Sequence, residues 1–369
     1  MRRVQQEKPK VRPKSRSTLM KLLKRVKPKD VAIFTRQMAV MVNAGIPIVE
    51  ALEVLRQQFA HTGLGPILED VQHEVEGGLS FSEALGRRRN VFGDFLISMV
   101  AVGETGGVLG FTLNRVSEYL EKMIALKGKV RSALAYPAII FLVAIGATIF
   151  LLIAVIPTFA QMFATLNAEL PLPTKIVIGL SNFVVQNGMY LFLGFVLLLG
   201  VGIYIVKKTD RGRYAFHSVL LNIPILGQVI RKSAISRFAR TLGVLIRGGV
   251  SILEALEITA KTSGNMVVEK AVLDARKSIG EGKSIAEPLQ SSGVFPPMVT
   301  QLIAVGEKTG DLPGMLEKLS DFYDGEVENS INTLTSVLEP VMLVFMGVVV
   351  GFMLISMYLP IFNMAQLIK

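Results

Sequence analysis

The chain contains no cysteine and no tryptophan, only three histidines, and few charges. Without cysteine there is no disulfide, no thiolate metal site and no thiol nucleophile. That absence fixes no compartment, because a membrane protein can do without disulfides on either side. His61, His73 and His217 form no His-Glu-x-x-His pattern and none lies within helical reach of another, so no zinc site is expected. A Gly-x-Ser-x-Gly nucleophile elbow is also missing. Charged residues make up 19% of the 369 and hydrophobic residues 51%. Soluble domains carry roughly 25% charged residues, so the balance is that of a membrane protein.

The formal charge of +11 is concentrated at one end. Residues 1–30 hold twelve Lys and Arg against Glu7 and Asp30, and the remainder is close to neutral. Pro9, Pro13 and Pro28 interrupt this stretch, which reads as a basic, poorly ordered tail. Within it "LMKLLKRVK" has two readings, a short amphipathic helix on anionic lipid or a plain solvated segment. The tail lacks the interleaved aromatics of a nucleic-acid binder, so no nucleic-acid partner is expected. No apolar run of a secretory signal lies within it.

A membrane-spanning helix needs about 20 mostly apolar residues. Three runs supply them: "YPAIIFLVAIGATIFLLIAVIP" (136–157), "NGMYLFLGFVLLLGVGIYIV" (187–206) and "PVMLVFMGVVVGFMLISMYLP" (340–360). Tyr136, Tyr190, Tyr204 and Tyr358 lie near their ends, where amphipathic rings suit the headgroup region. Lys127, Lys129 and Arg131 precede the first run, and Lys207, Lys208, Arg211 and Arg213 follow the second. The positive-inside rule places both flanks in the cytoplasm. None of the runs contains Asp, Glu, Lys or Arg, the groups that mark ion and proton paths. A transporter or channel built from parallel repeats is therefore the weaker reading.

The chain is written twice. "FTRQMAVMVNAGIPIVEAL" (34–52) falls on "FARTLGVLIRGGVSILEAL" (238–256), aligning Gly45 with Gly249 and Glu50 with Glu254. "GGLSFSEAL" (77–85) falls on "EGKSIAEPL" (281–289), aligning Gly78 with Gly282, Ser80 with Ser284 and Glu83 with Glu287. "VGETGGVLG" (102–110) falls on "VGEKTGDLPG" (305–314) with one residue inserted, and Pro137 and Pro157 fall on Pro340 and Pro360. Two equivalent domains belong on one side of a membrane, so the second span is the return crossing and the C-terminus ends outside. Helical spacing at Leu113, Val116, Leu120 and Met123, and at Val268, Val272, Ala275 and Ile279, supports an all-α chain.

The expected architecture is two duplicated cytoplasmic helical bundles of about six helices each, with three transmembrane helices. Its parts are a basic tail (1–30), a first cytoplasmic domain (31–131), a first span (132–158), an outer loop (159–184) and a second span (185–207). A second cytoplasmic domain (208–335), a third span (336–359) and an outer tail (360–369) follow. Pro137, Pro157, Pro340 and Pro360 are the expected span boundaries.

"SIGEGKS" (278–284) resembles the end of a phosphate loop, but the first glycine of G-x-x-x-x-G-K-[ST] would fall on Lys277. The aligned first-copy segment has Leu79 in place of Lys283. Ser80-x-x-Glu83, Ser284-x-x-Glu287 and Ser251-x-x-Glu254 instead have the capping-box form. Gly78, Gly249 and Gly282 before them suit the left-handed end of a preceding helix. Gly103, Glu104 and Gly106, with Gly306, Glu307 and Gly310, have two readings, a helix break or a loop that contacts a partner. No catalytic, cofactor-binding or metal-binding residue is expected.

These segments, together with "VRSALAYPAII" and "VIPTFAQMFATLNAELPLPT", resemble the type II secretion F domain family, from about residue 30 to the end. That resemblance implies a non-enzymatic platform in a bacterial inner membrane, serving a type IV pilus or a type II secretion system. The implied partners are a hexameric assembly ATPase on the cytoplasmic side, pilins or pseudopilins in the membrane, inner-membrane alignment proteins, and further copies of the chain. "FTRQ" is closer to pilus members than to secretion members. Relatives begin with a longer ordered segment where this chain has its basic tail.

Overall fold

A computed structural model describes residues 26–165 and 171–367. The basic tail up to residue 25, residues 166–170 of the expected outer loop, and residues 368–369 lie outside the described residues. The described residues are helical, with no strand among them. The first copy contributes α1 (Pro28–Asn43), α2 (Ile48–Gln58), α3 (Gly65–Glu76), α4 (Phe81–Gly86), α5 (Arg89–Thr105) and α6 (Leu109–Phe150). A π-helical turn (Leu151–Val155), α7 (Ile156–Thr165), α8 (Leu172–Lys208) and α9 (Asp210–Asn222) follow. The second copy contributes α10 (Leu226–Arg247), α11 (Ile252–Thr262), α12 (Met266–Gly280), α13 (Ala286–Ser291), α14 (Pro297–Thr309) and α15 (Leu312–Leu367). Each copy thus has the expected six helices.

The chain divides into two compact units. One holds residues up to Ala125 with Arg237–Ser263 and Ala271–Ser320, so helices of both copies share it. Its core repeats itself. The rings of Phe34 and Phe92 lie 5.9 Å apart, and those of their counterparts Phe238 and Phe295 lie 4.8 Å apart. The numbering offset falls from 204 at Phe34/Phe238 to 203 at Phe92/Phe295, so the length difference lies between α4 and α5. This corrects the insertion expected in the Gly103 and Gly306 loops. Leu109 Cα and Leu312 Cα each come within 2.9 Å of where a Cβ would sit on Gly103 and Gly306, both six residues earlier.

The other unit holds Leu126–Ser236, Gly264–Lys270 and Asp321–Lys369. Three helical stretches in the chain are long and apolar enough to cross a membrane: Leu109–Met162, Leu172–Val206 and Leu312–Leu359. At 1.5 Å rise per residue, the 42 residues of α6 and the 56 of α15 extend about 63 and 84 Å. A hydrocarbon core is about 30 Å thick, so each helix is a span plus a long polar stalk. Leu152, Ile156, Val177 and Met353 form one apolar cluster, and Val229, Val327, Ile331 and Leu334 form another. Lys129–Glu328 (2.9 Å) and Lys232–Glu326 (2.7 Å) flank the second.

The prolines do not end helices. Pro137 lies inside α6, Pro157 is the second residue of α7, and Pro340 and Pro360 lie within α15. Proline has no N–H and its ring crowds the carbonyl four residues back. In lipid such a fault must be absorbed within the protein. Ahead of Pro157 the chain widens into the π turn, and Ser181 Oγ donates to the carbonyl of Leu152. Helix also occupies 159–165 and 172–184 of the stretch read as an outer loop.

Gly103→Ala and Gly306→Ala should each destabilise the chain by about 1–3 kcal/mol through overpacking. Gly128, with nothing within 4 Å of a built Cβ, serves as the control, and Gly128→Ala should be neutral or stabilising. Thermal unfolding in detergent measures both effects.

Candidate functional site

The glycine–serine–glutamate junctions recur in both copies, and backbone geometry explains the glycines. Gly45, Gly78, Gly249 and Gly282 have φ of +81°, +96°, +90° and +88°, where an L side chain is strained. In each case the following residue's N–H reaches back to close the helix end. Leu79 N–H donates to Glu74 O (3.1 Å) and Lys283 N–H to Ser278 O (3.1 Å). The N–H groups that would cradle a phosphate at "SIGEGKS" are therefore used in ending α12, and a helix rather than a strand leads into the turn.

The starts of α4 and α13 are where the sequence motifs converge. Ser80 Oγ accepts the Glu83 N–H (3.2 Å), while the Glu83 carboxylate accepts the Ser80 N–H (3.0 Å). That N–H bond holds the Glu83 carboxyl below the usual carboxylate range. Glu104 then supplies what the box leaves open: Phe81 N–H donates to its Oε1 (2.6 Å) and Ser82 N–H to its Oε2 (2.8 Å). In the second copy Ile285 N–H donates to Glu307 Oε1 (2.5 Å), Ala286 N–H to Oε2 (3.2 Å) and Glu287 N–H to Ser284 Oγ (3.3 Å), so the glutamate clamp is repeated but the expected Ser284–Glu287 box is only half formed. A helix start leaves its first N–H groups without intrahelical partners. Each glutamate satisfies two of them from 21 to 23 residues away along the chain.

Other expected site residues sit differently. Ser251 is the N-cap of α11 but makes no side-chain capping bond, so of the three expected capping boxes the one at Ser80–Glu83 is complete. There the turn is closed by the backbone bonds of Gly249 N–H to Ile246 O and Val250 N–H to Leu245 O (both 3.0 Å). Glu50 and Glu254 lie in the first turns of α2 and α11, where a negative charge suits the helix dipole. Gly106 has right-handed geometry (φ −87°), and Gly107 is the left-handed residue that matches Gly310 (φ +67° and +75°).

Sequence reasoning missed the contact between the copies. The α5 residues Phe95, Met99 and Val102 lie beside the core stripe of Leu96 and Val100, which makes α5 apolar on a wide arc. Met99 Sδ and Cε are 2.9 Å from where a Cβ would sit on Gly248, and Val102 Cγ1 is 3.8 Å from that of Gly249. Tyr119 stacks on Phe95 (4.1 Å between rings) and shares a 3.0 Å hydrogen bond with Thr241 Oγ1. Burial pushes the Tyr119 phenol up, with the Thr241 bond opposing. Beside it a cavity of about 70 Å³ is lined by Phe111, Arg115, Glu118, Arg240, Arg247 and Glu317. That is room for about two waters rather than a nucleotide. Among the described residues no group of three or more His, Asp or Glu is placed to hold a metal.

Glu104→Ala and Glu307→Ala should each cost about 1–3 kcal/mol by orphaning two N–H groups. Hydrogen exchange should report the loss at Phe81 and Ser82, or at Ile285 and Ala286. The purified chain should bind no ATP; saturable binding that disappears in Lys283→Ala would contradict the helix-end assignment.

The chain matches the family described as Type II secretion system (T2SS), protein F, over residues 34–157 and 238–360, one match for each copy. It is 45% identical over 344 residues to the Type IV pilus assembly protein PilC of Myxococcus xanthus, covering 93% of this chain and 82% of that one. The PilC of Thermus thermophilus is 41% identical over 340 residues, covering 91% and 82%. The Type II secretion system protein F of Aeromonas hydrophila is 34% identical over 343 residues, covering 92% and 87%. With the duplicated helical bundle and three apolar spans already in place, these matches make the chain a member of the type II secretion system protein F family.

Proposed function

We propose that this chain is the inner-membrane platform of a type IV pilus assembly machine. It is a non-enzymatic scaffold that couples a hexameric cytoplasmic assembly ATPase to the polymerisation of pilins. The observation that carries the reading is the 45% and 41% identity to type IV pilus assembly proteins along nearly the whole chain. The architecture supports it. The stalk of α6 or α15 runs on into an apolar span within one helix, which suits an element that passes a push towards the membrane. The apolar spans, with Leu191, Phe192, Leu197 and Leu198 exposed on α8, suit contact with lipid or with apolar pilin helices.

In this reading both bundles and the N-terminus are cytoplasmic, the C-terminus lies outside, and inner-membrane alignment proteins complete the assembly. The basic flanks before α6's apolar run and after α8 support that orientation. The second reading is the equivalent platform of a type II secretion system, favoured by the 34% identity to a secretion protein F.

Deletion of the gene should abolish surface pili while leaving secreted proteins unaffected. The reverse result would select the secretion reading. Intact filaments with failed solute uptake would point to a transporter. Reporter fusions at residue 369 should be active only on the outer side.

A further inference from the structure

The two copies meet through unlike faces, and each therefore leaves one face open. Copy one presents Met99, Val102 and Tyr119, the last backed by Phe95, and copy two receives them on Thr241, Gly248 and Gly249 of α10 and the turn after it. In copy two the counterparts of the presenting face are Met298, Leu302, Val305 and Phe322. Met298, Val305 and Phe322 are 37%, 46% and 50% exposed, whereas Phe95 and Tyr119 are 4% and 7% exposed. In copy one the counterparts of the receiving face are Gln37, Ala44 and Gly45 on and after α1. Next to them Val40 is 61% exposed.

We infer that the open face of α14 in one molecule receives the open face of α1 in a second copy of this chain, repeating between molecules the contact that already exists within one. Residue chemistry supports that occupant. Val102 against Gly249 becomes Val305 against Gly45, the same pair of residue types. Met99 against Gly248 becomes Leu302 against Ala44. The shorter side chain meets the floor raised by one methyl, a compensating exchange of the kind packed cores tolerate. Tyr119 with Thr241 becomes Phe322 with Gln37, which removes the hydroxyl–hydroxyl bond and sets an aromatic ring against an amide. The contact between molecules is thus weaker than the one within the chain. It is also head-to-tail, so it builds rings or open chains rather than two-fold dimers. The inference stands on the chain's own contacts, and its failure would leave the platform reading intact.

The absence of native cysteine makes the test direct. Two differently tagged full-length variants, Ala44→Cys and Leu302→Cys, are co-expressed and treated in membranes with a short bis-maleimide. A mixed-tag dimer is expected, and the double variant should give a ladder of multiples. Coupling of Ala44→Cys to itself or of Leu302→Cys to itself would mean a two-fold contact. Coupling only to another protein, or no product, would mean another occupant or none; any of these results overturns the inference. Val305→Asp, at an exposed position, should abolish the mixed-tag product and lower the mass seen by light scattering in detergent, with thermal unfolding unchanged. An unchanged mass and product would also overturn it.

Discussion

Much of the arrangement follows from the width of the apolar arc on α5. One stripe, Leu96 and Val100, faces the core of its own copy. On the neighbouring stripe Phe95 packs on Tyr119 of the same copy, while Met99 and Val102 come down on Gly248 and Gly249 in the turn after α10. Burying a large apolar side chain is worth about 1.5–3 kcal/mol, whereas the Tyr119–Thr241 bond adds about 0.5–1.5 kcal/mol net. Apolar burial therefore drives the contact, and the hydrogen bond sets its register. Gly248 is small because Met99 comes down upon it, while Gly249 is fixed by its left-handed backbone.

A second constraint acts where the helices enter the apolar region. A helix of 42 or 56 residues cannot be interrupted in lipid without exposing backbone groups, yet each span carries prolines at its ends. The π turn before Pro157 and the Ser181 hydroxyl on the carbonyl of Leu152 show how one such fault is absorbed without breaking the rod. On α8 Thr174 Oγ1 similarly donates to the carbonyl of Ser356 (2.5 Å). Small hydroxyl side chains thus tie the spans together where charge is absent.

The fold class was legible because duplication leaves two aligned texts and because twenty-residue apolar runs have few other readings. Left-handed glycines were legible for a local reason, since positive φ excludes most side chains. Gly106 was misplaced by one residue because the length difference was assigned to its own loop, whereas the paired phenylalanines locate it between α4 and α5. Glu104 and Glu307 were ambiguous because their partners, the N–H groups of α4 and α13, lie more than twenty residues away along the chain. The helices run on through the prolines because a proline excludes one hydrogen bond, not a helix.

Periodicity, apolar run length and internal repetition are local or linear properties, and by themselves they determined the helices, the three spans and the two copies. The pairing of unlike faces was decided only by tertiary structure. The two copies have nearly the same pattern, so linear order cannot say which Val, 102 or 305, will be buried. That choice depends on which copy's α5-type helix lies against the other copy's α1-type helix, and a single chain can make that contact only once.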